Sequence, residues 1–287
     1  MNTNISRKIS HQAASMTVED AYQTLQDTIS NLSSSKAWTE YLDFQSRFHN
    51  YSFHNILLIK SQNPSATFIA GYRKWQNLER QVRKGEKGLR ILAPVISKKK
   101  EPDSEEDPTF IRGFRLVSVF DLSQTDGSEE HLPLIITGLR HSVKGEEEIY
   151  EELRSNIPLK IIEVEHLSSK GSYNLSSQRI RIRSDLSTVQ KIKTLIHEYA
   201  HHVHHTSYKG QESYSASEVI AESSAYIVCR FLGIDTSDYS ALYIESWKDK
   251  TTDIAAIGIK VQKVSSDIIS HFTAQHDPGI EKEVSAI

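Results

Sequence analysis

The feature that most narrows what this 287-residue chain can become is the run Leu195-Ile196-His197-Glu198-Tyr199-Ala200-His201-His202. His197, Glu198 and His201 form H-E-x-x-H, a pattern whose chemistry depends on a helix. Residues four apart share a helix face, so both imidazoles can reach one Zn2+ ion. Glu198 is turned about 100° from His197 and stands beside the ion. There it can take a proton from water activated by the metal and later deliver it to a leaving amine. The segment is rich in histidine (His197, His201, His202, His204, His205), so coincidence competes with function. The apolar flanks and the strand expected upstream favour a metal-binding helix.

A catalytic ion of this kind needs a third protein ligand. The next helix, expected over about 216–232, offers Glu218 and Glu222 one turn apart, on a stripe that continues through Ala225, Cys229 and Leu232. A carboxylate on an apolar stripe is costly unless paired or bound to metal. Glu218 is read as the third ligand and Glu222 as the group that orients a histidine ligand, with the reverse assignment as the main alternative. Glu218 also fits a capping box with Ser215, and Glu222 fits a salt bridge. His205 is a further candidate ligand, although one straight helix does not easily wrap three ligands around one ion. Zinc is the expected metal, and a histidine–carboxylate set also accepts Mn2+ or Fe2+. Tyr226 and His205 are candidates to assist the reaction.

The length suits one large domain or two ordinary ones. The longest apolar runs, such as Ile56-Leu57-Leu58-Ile59, fall far short of the roughly 20 residues that a bilayer crossing needs. The first sixteen residues lack the apolar core of a secretory signal. A single cysteine, Cys229, excludes an intrachain disulfide and a thiolate zinc set, and packing is its expected role. A cytoplasmic protein with no membrane segment is expected. The net charge of −3 hides a strong asymmetry: between Gly71 and Lys100 ten basic residues face only Glu79 and Glu86, a local charge of +8. Arg73, Lys74, Arg80, Arg83, Lys84, Lys87 and Arg90 can track phosphates, and Tyr72 and Trp75 can stack on bases. The competing reading makes the two aromatics core residues and the charges a solvated face.

Apolar periodicity predicts helices over Val18–Leu32, Trp38–Phe48 and from Ser52 to just before Asn63-Pro64. Strands are expected near 67–70, 89–95 and 114–120. These make an α+β domain over 16–125, after a disordered stretch 1–15. The acidic run Glu101–Pro108 reads as a loop within a hairpin. A turn-rich linker, 126–145, leads to a second domain, 146–287. Its expected elements are a strand at 159–165 and a strand or hairpin at 171–183, then helices at about 187–206, 216–232 and 252–272.

The segment H-E-Y-A-H-H followed by E-V-I-A-E-S-S-A-Y resembles the zinc peptidase module of ArdC-type antirestriction proteins and, more distantly, the ImmA/IrrE metallopeptidases that cleave regulators. Both families place a glutamate ligand on the helix after H-E-x-x-H, which implies Glu218 here. The E-x-x-x-D pattern of thermolysin-like enzymes is similar to Glu218 and Glu222, with Glu standing where that pattern has Asp. Asn50-Tyr51-Ser52, Asn55-Ile56-Leu57-Leu58, Gly71-Tyr72-Arg73-Lys74-Trp75, Val82-Arg83-Lys84-Gly85-Glu86-Lys87-Gly88 and Phe120-Asp121-Leu122-Ser123-Gln124-Thr125 resemble the N-terminal single-stranded-DNA-binding domain of ArdC-type proteins. One departure is Glu79, where glycine is expected. The resemblance covers about 40–235. It implies an α+β nucleic-acid-binding domain followed by a zincin-like, gluzincin-type metallopeptidase domain, acting in antirestriction or mobile-element control. The alternatives are a non-proteolytic DNA-binding protein with a structural metal site, and an ImmA-like protease whose substrate is a regulator.

Overall fold

The computed structural model describes residues 16–98, 109–128, 130, 132, 145–209, 212–236 and 253–273. The stretch 1–15, the acidic run 101–108 and most of the expected linker 126–145 lie outside the described residues. In chain order the elements are α1 (Val18–Asn31), α2 (Ser35–Gln45), α3 (Phe53–Gln62), β1 (Ile69–Gly71), α4 (Tyr72–Asn77), β2 (Arg80–Val82), β3 (Leu89–Lys98), β4 (Thr109–Asp121), β5 (Thr125–Gly127), α5 (Glu146–Asn156), β6 (Lys160–Val164), β7 (Gly171–Asn174), β8 (Arg179–Arg183), α6 (Thr188–Tyr208), α7 (Tyr214–Phe231) and α8 (Ile254–Thr273). No described helix is long and apolar enough to cross a membrane.

The described residues fall into two compact units, one holding those up to Ser30 and from His54 to Leu132, the other Asn31–Phe53 and those from Gly145 onward. The first unit is built on an antiparallel sheet of order β1-β4-β3, with β2 and β5 paired separately. Register runs from Leu89↔Val119 to Lys98↔Thr109, with an irregularity between Val95 and Ile96. Alternation along β3 buries Leu89, Ile91 and Ala93 on one face. The outer edge of β3 is occupied by side chains of α3. Asn55 donates to the Leu92 carbonyl and accepts from its N–H, both at 2.9 Å. Gln62 makes the same pair of bonds with Arg90, at 2.9 and 2.8 Å. Two amides thus imitate a neighbouring strand. Asp121, buried at the end of β4, accepts from the backbone N–H groups of Thr67, Phe68 and Ser123 at 2.8, 3.2 and 2.9 Å, which ties the start of β1 to the turn Leu122–Gln124.

The second unit has a sheet of order β6-β8-β7, with β6 parallel and β7 antiparallel to β8. Helix α5 was not expected from sequence. Its polar first turn, Glu146-Glu147-Glu148, masks a narrow apolar face of which only Tyr150 and Leu153 are buried. Helix α2, which the sequence division placed with the N-terminal domain, packs within the second unit. Trp38, Tyr41 and Leu42 are fully buried, and two polar groups find partners on the C-terminal helices. The Trp38 indole N–H donates to Ser223 Oγ at 3.1 Å, and Gln45 Nε2 donates to Ser265 Oγ at 3.1 Å. Buried polar groups need such matches, and they fix α2 against α7 and α8. Cys229 is buried in α7, and burial pushes its thiol up to about 12.

Candidate metal centre

Helix α6 begins at a capping box in which Ser187 accepts from the Gln190 N–H and Gln190 reaches back to the Ser187 backbone. Helix α7 is capped by Ser213, whose side chain accepts from the Ala216 N–H. Ser215 therefore lies within the helix, and Glu218 lines the cleft described below. These starts set the phase that turns His197 and His201 of α6 toward Glu218 of α7. The two Nε2 atoms are 3.2 Å apart. Glu218 Oε2 is 3.5 Å from His197 Nε2, and its Oε1 is 3.3 Å from His201 Nε2. One ligand atom from each of these three residues lies within 4.8 Å of the others, and among the described residues this is the one such group. His205 is outside it, although its ring stacks on that of His201.

The remaining nitrogens are also held. His197 Nδ1 is 3.2 Å from Glu222 Oε2, and His201 Nδ1 is 3.4 Å from Ser217 Oγ. Burial opposes charge on His197, but the Glu218 and Glu222 carboxylates outweigh it and raise its pKa to about 10. Glu218 is held well below the usual carboxylate range by His197 and His201, against the effect of burial. Glu222 is drawn down to about 2 by His197 and Lys193, again against burial. Glu198 moves the other way. Burial pushes its carboxyl up, opposed by His197, His201 and a backbone hydrogen bond from Tyr173. A raised carboxyl pKa makes Glu198 a better proton acceptor than an exposed carboxylate.

A cleft of about 730 Å3 opens over these groups, lined on one side by β7. Strand and helix approach closely here. A Cβ at Gly171 would sit 2.4 Å from Thr194 Cγ2 and 3.0 Å from Glu198 Oε1. The cleft also takes in Lys193, Tyr173 and Tyr214, none of which the sequence reading singled out. Tyr214 is 80% exposed, at the mouth of the cleft. Tyr226, a sequence candidate, is buried with its hydroxyl donating to Asp43 at 2.8 Å, outside the cleft lining.

Residues 17–130 match the family model described as the N-terminal domain of anti-restriction factor ArdC. The similarity to that family is carried by this stretch of the chain. Over 98% of its length it is 26% identical to an uncharacterized protein of Bacillus anthracis, pXO2-81, and it spans only 54% of that relative. Two crystal structures of the antirestriction ArdC protein from plasmid R388 are similar. The Mn(II)-bound one has a TM-score of 0.50 and 21% identity over 81% of this chain and 86% of that one. The metal-free one has a TM-score of 0.46 and 20% identity over 78% and 85%. The Mn(II)-bound structure shares the mixed α+β fold.

Within the matched residues the basic segment divides in two. Trp75 is fully buried, its indole N–H donating to the Phe120 carbonyl at 3.0 Å, so it cannot stack on a base. Arg80 is only 8% exposed. Its guanidinium is spent on Thr125 Oγ1 and on the carbonyls of Gly127, Ser128 and Thr125. Both belong to the core, which corrects their assignment as surface contacts. Arg83 is exposed but engaged by Glu86 and Asp126, and Arg90 donates to Ser118 Oγ at 2.7 Å. Tyr72, Arg73, Lys84 and Lys87 are exposed and Lys74 is half-buried. Tyr72, Arg83 and Lys84 line a second cleft with Phe120. Glu79, where glycine was expected, has φ 55°, the left-handed region that glycine enters at least cost.

Proposed function

We propose that this ArdC-type protein is a metal-dependent peptidase of the zincin kind joined to a single-stranded-DNA-binding domain, serving antirestriction or mobile-element control in the cytoplasm. The observation that carries the reading is the convergence of His197, His201 and Glu218 beside a buried Glu198 at the floor of a cleft. Two imidazoles and one carboxylate suit a divalent ion, and the ligand nitrogens face one another with their far nitrogens already engaged. The Mn(II)-bound form of the R388 protein supports such an ion here, either Mn2+ or Zn2+. When bound, it supplies Lewis acidity and lowers the pKa of water. Glu198, with its raised pKa, accepts a proton from water and returns it to the departing amine. Edge strand β7 offers backbone groups along the cleft where an extended peptide can lie. In the first unit, Tyr72, Arg73, Lys84 and Lys87 present one aromatic face and three cations to a DNA strand.

The decisive comparison sets Glu198→Gln beside the double charge reversal Lys84→Glu/Lys87→Glu, scored for protection of incoming DNA and for cleavage of a random-peptide library. Peptidase function requires that Glu198→Gln abolish cleavage while keeping its metal. If Glu198→Gln protects DNA as well as wild type while the charge reversal does not, the protein shields DNA without proteolysis.

A further inference from the structure

Glu222 is almost completely buried and its two oxygens face different partners. Oε2 lies 3.2 Å from His197 Nδ1, and Oε1 lies 2.5 Å from Lys193 Nζ. The contact with Lys193 is an ion pair, and no hydrogen bond reaches Oε1 among the described residues. Lys193 stands four residues before His197 on α6, so both project from one helix face toward α7. Its side chain is itself only 15% exposed. A buried ion pair recovers its desolvation cost only with good geometry and further bonds, and this pair sits directly behind a metal ligand.

We infer that Lys193 is a positioning residue of the metal centre: it anchors Glu222 so that Glu222 fixes the His197 ring with Nε2 aimed at the ion. The inference rests on the metal site proposed above. The chain of contact runs from Nζ to Oε1, through the carboxylate to Oε2, then to Nδ1. A rigid carboxylate selects the Nδ1–H tautomer and leaves the Nε2 lone pair for the ion. Without the ammonium group, Oε1 has no partner, and the carboxylate is left to rotate away from the imidazole or to recruit water. Arginine can replace the contact, whereas methionine fills the space and cannot.

The test titrates Zn2+ and Mn2+ alone, by competition with a chelator, into metal-free full-length wild type, Lys193→Met, Lys193→Arg, Glu222→Gln and the Lys193→Met/Glu222→Gln double variant. Lys193→Met is expected to weaken metal affinity roughly 10- to 100-fold, the range seen when such outer partners are lost. Lys193→Arg is expected to stay near wild type. In the Glu222→Gln background, Lys193→Met should add less than about twofold, because residues acting through one contact are not additive. The double variant removes both charges and keeps the comparison readable should Lys193→Met alone fold poorly. Wild-type affinity in Lys193→Met, or equal losses in both backgrounds, overturns the inference. A wild-type protein that takes up no ion, or keeps it in His201→Ala, instead overturns the metal site on which the inference rests.

Discussion

At the residue scale, the three ligands and Glu198 separate by what their loss removes. His201→Ala and Glu218→Ala are each expected to abolish stoichiometric metal, read by elemental analysis, while Glu198→Gln keeps it. Protons compete with the ion for the same imidazole. With His197 raised to about 10 in the metal-free protein, binding must displace a proton at neutral pH. Apparent affinity should therefore rise about tenfold per pH unit between pH 6 and 9, measured by titration at fixed ionic strength. A flat profile would mean that His197 carries no extra proton in the metal-free protein over this range. Much of this centre was legible in the sequence, because H-E-x-x-H and the following Glu218 and Glu222 are spaced by helix geometry alone. Lys193 was not. A lysine before a metal motif reads as a solvated charge until the neighbouring helix is in place.

At the level of elements, packing decides what composition leaves open. Trp75 and Arg80 carry the chemistry of a DNA contact and the chemistry of a core, and no periodicity in a six-residue helix and a three-residue strand distinguishes them. Trp75→Ala should cost about 3–5 kcal/mol of stability, seen as a lowered denaturation midpoint. The close approach of β7 to α6 gives Gly171 its own signature. Gly171→Ala forces Thr194 or Glu198 to move. It is expected to destabilise by about 1–3 kcal/mol, read as a lowered denaturation midpoint, with Thr194 the nearer of the two groups to be displaced. Helices α2, α3 and α6–α8 followed their apolar stripes and lay near their expected bounds. Helix α5 did not announce itself, because a short, acidic helix buries too little to leave a stripe.

For the molecule as a whole, the two proposed chemistries fall in different units, and each should answer to its own variable. Oligonucleotide binding should weaken with salt, each phosphate-neutralising lysine contributing about 0.7 to the logarithmic slope. Lys84→Ala/Lys87→Ala is then expected to flatten the slope by roughly 1.4 with metal content unchanged. The packing of α2 on α7 and α8 was not legible, since its polar partners Ser223 and Ser265 lie 185 and 220 residues further on. The amides of Asn55 and Gln62 bear on the fate of the molecule in a crowded cell. An exposed rim of backbone donors and acceptors invites stacking of one sheet upon the next. Two side chains from a helix synthesised earlier occupy that rim at Arg90 and Leu92, where a copy of the strand would otherwise pair.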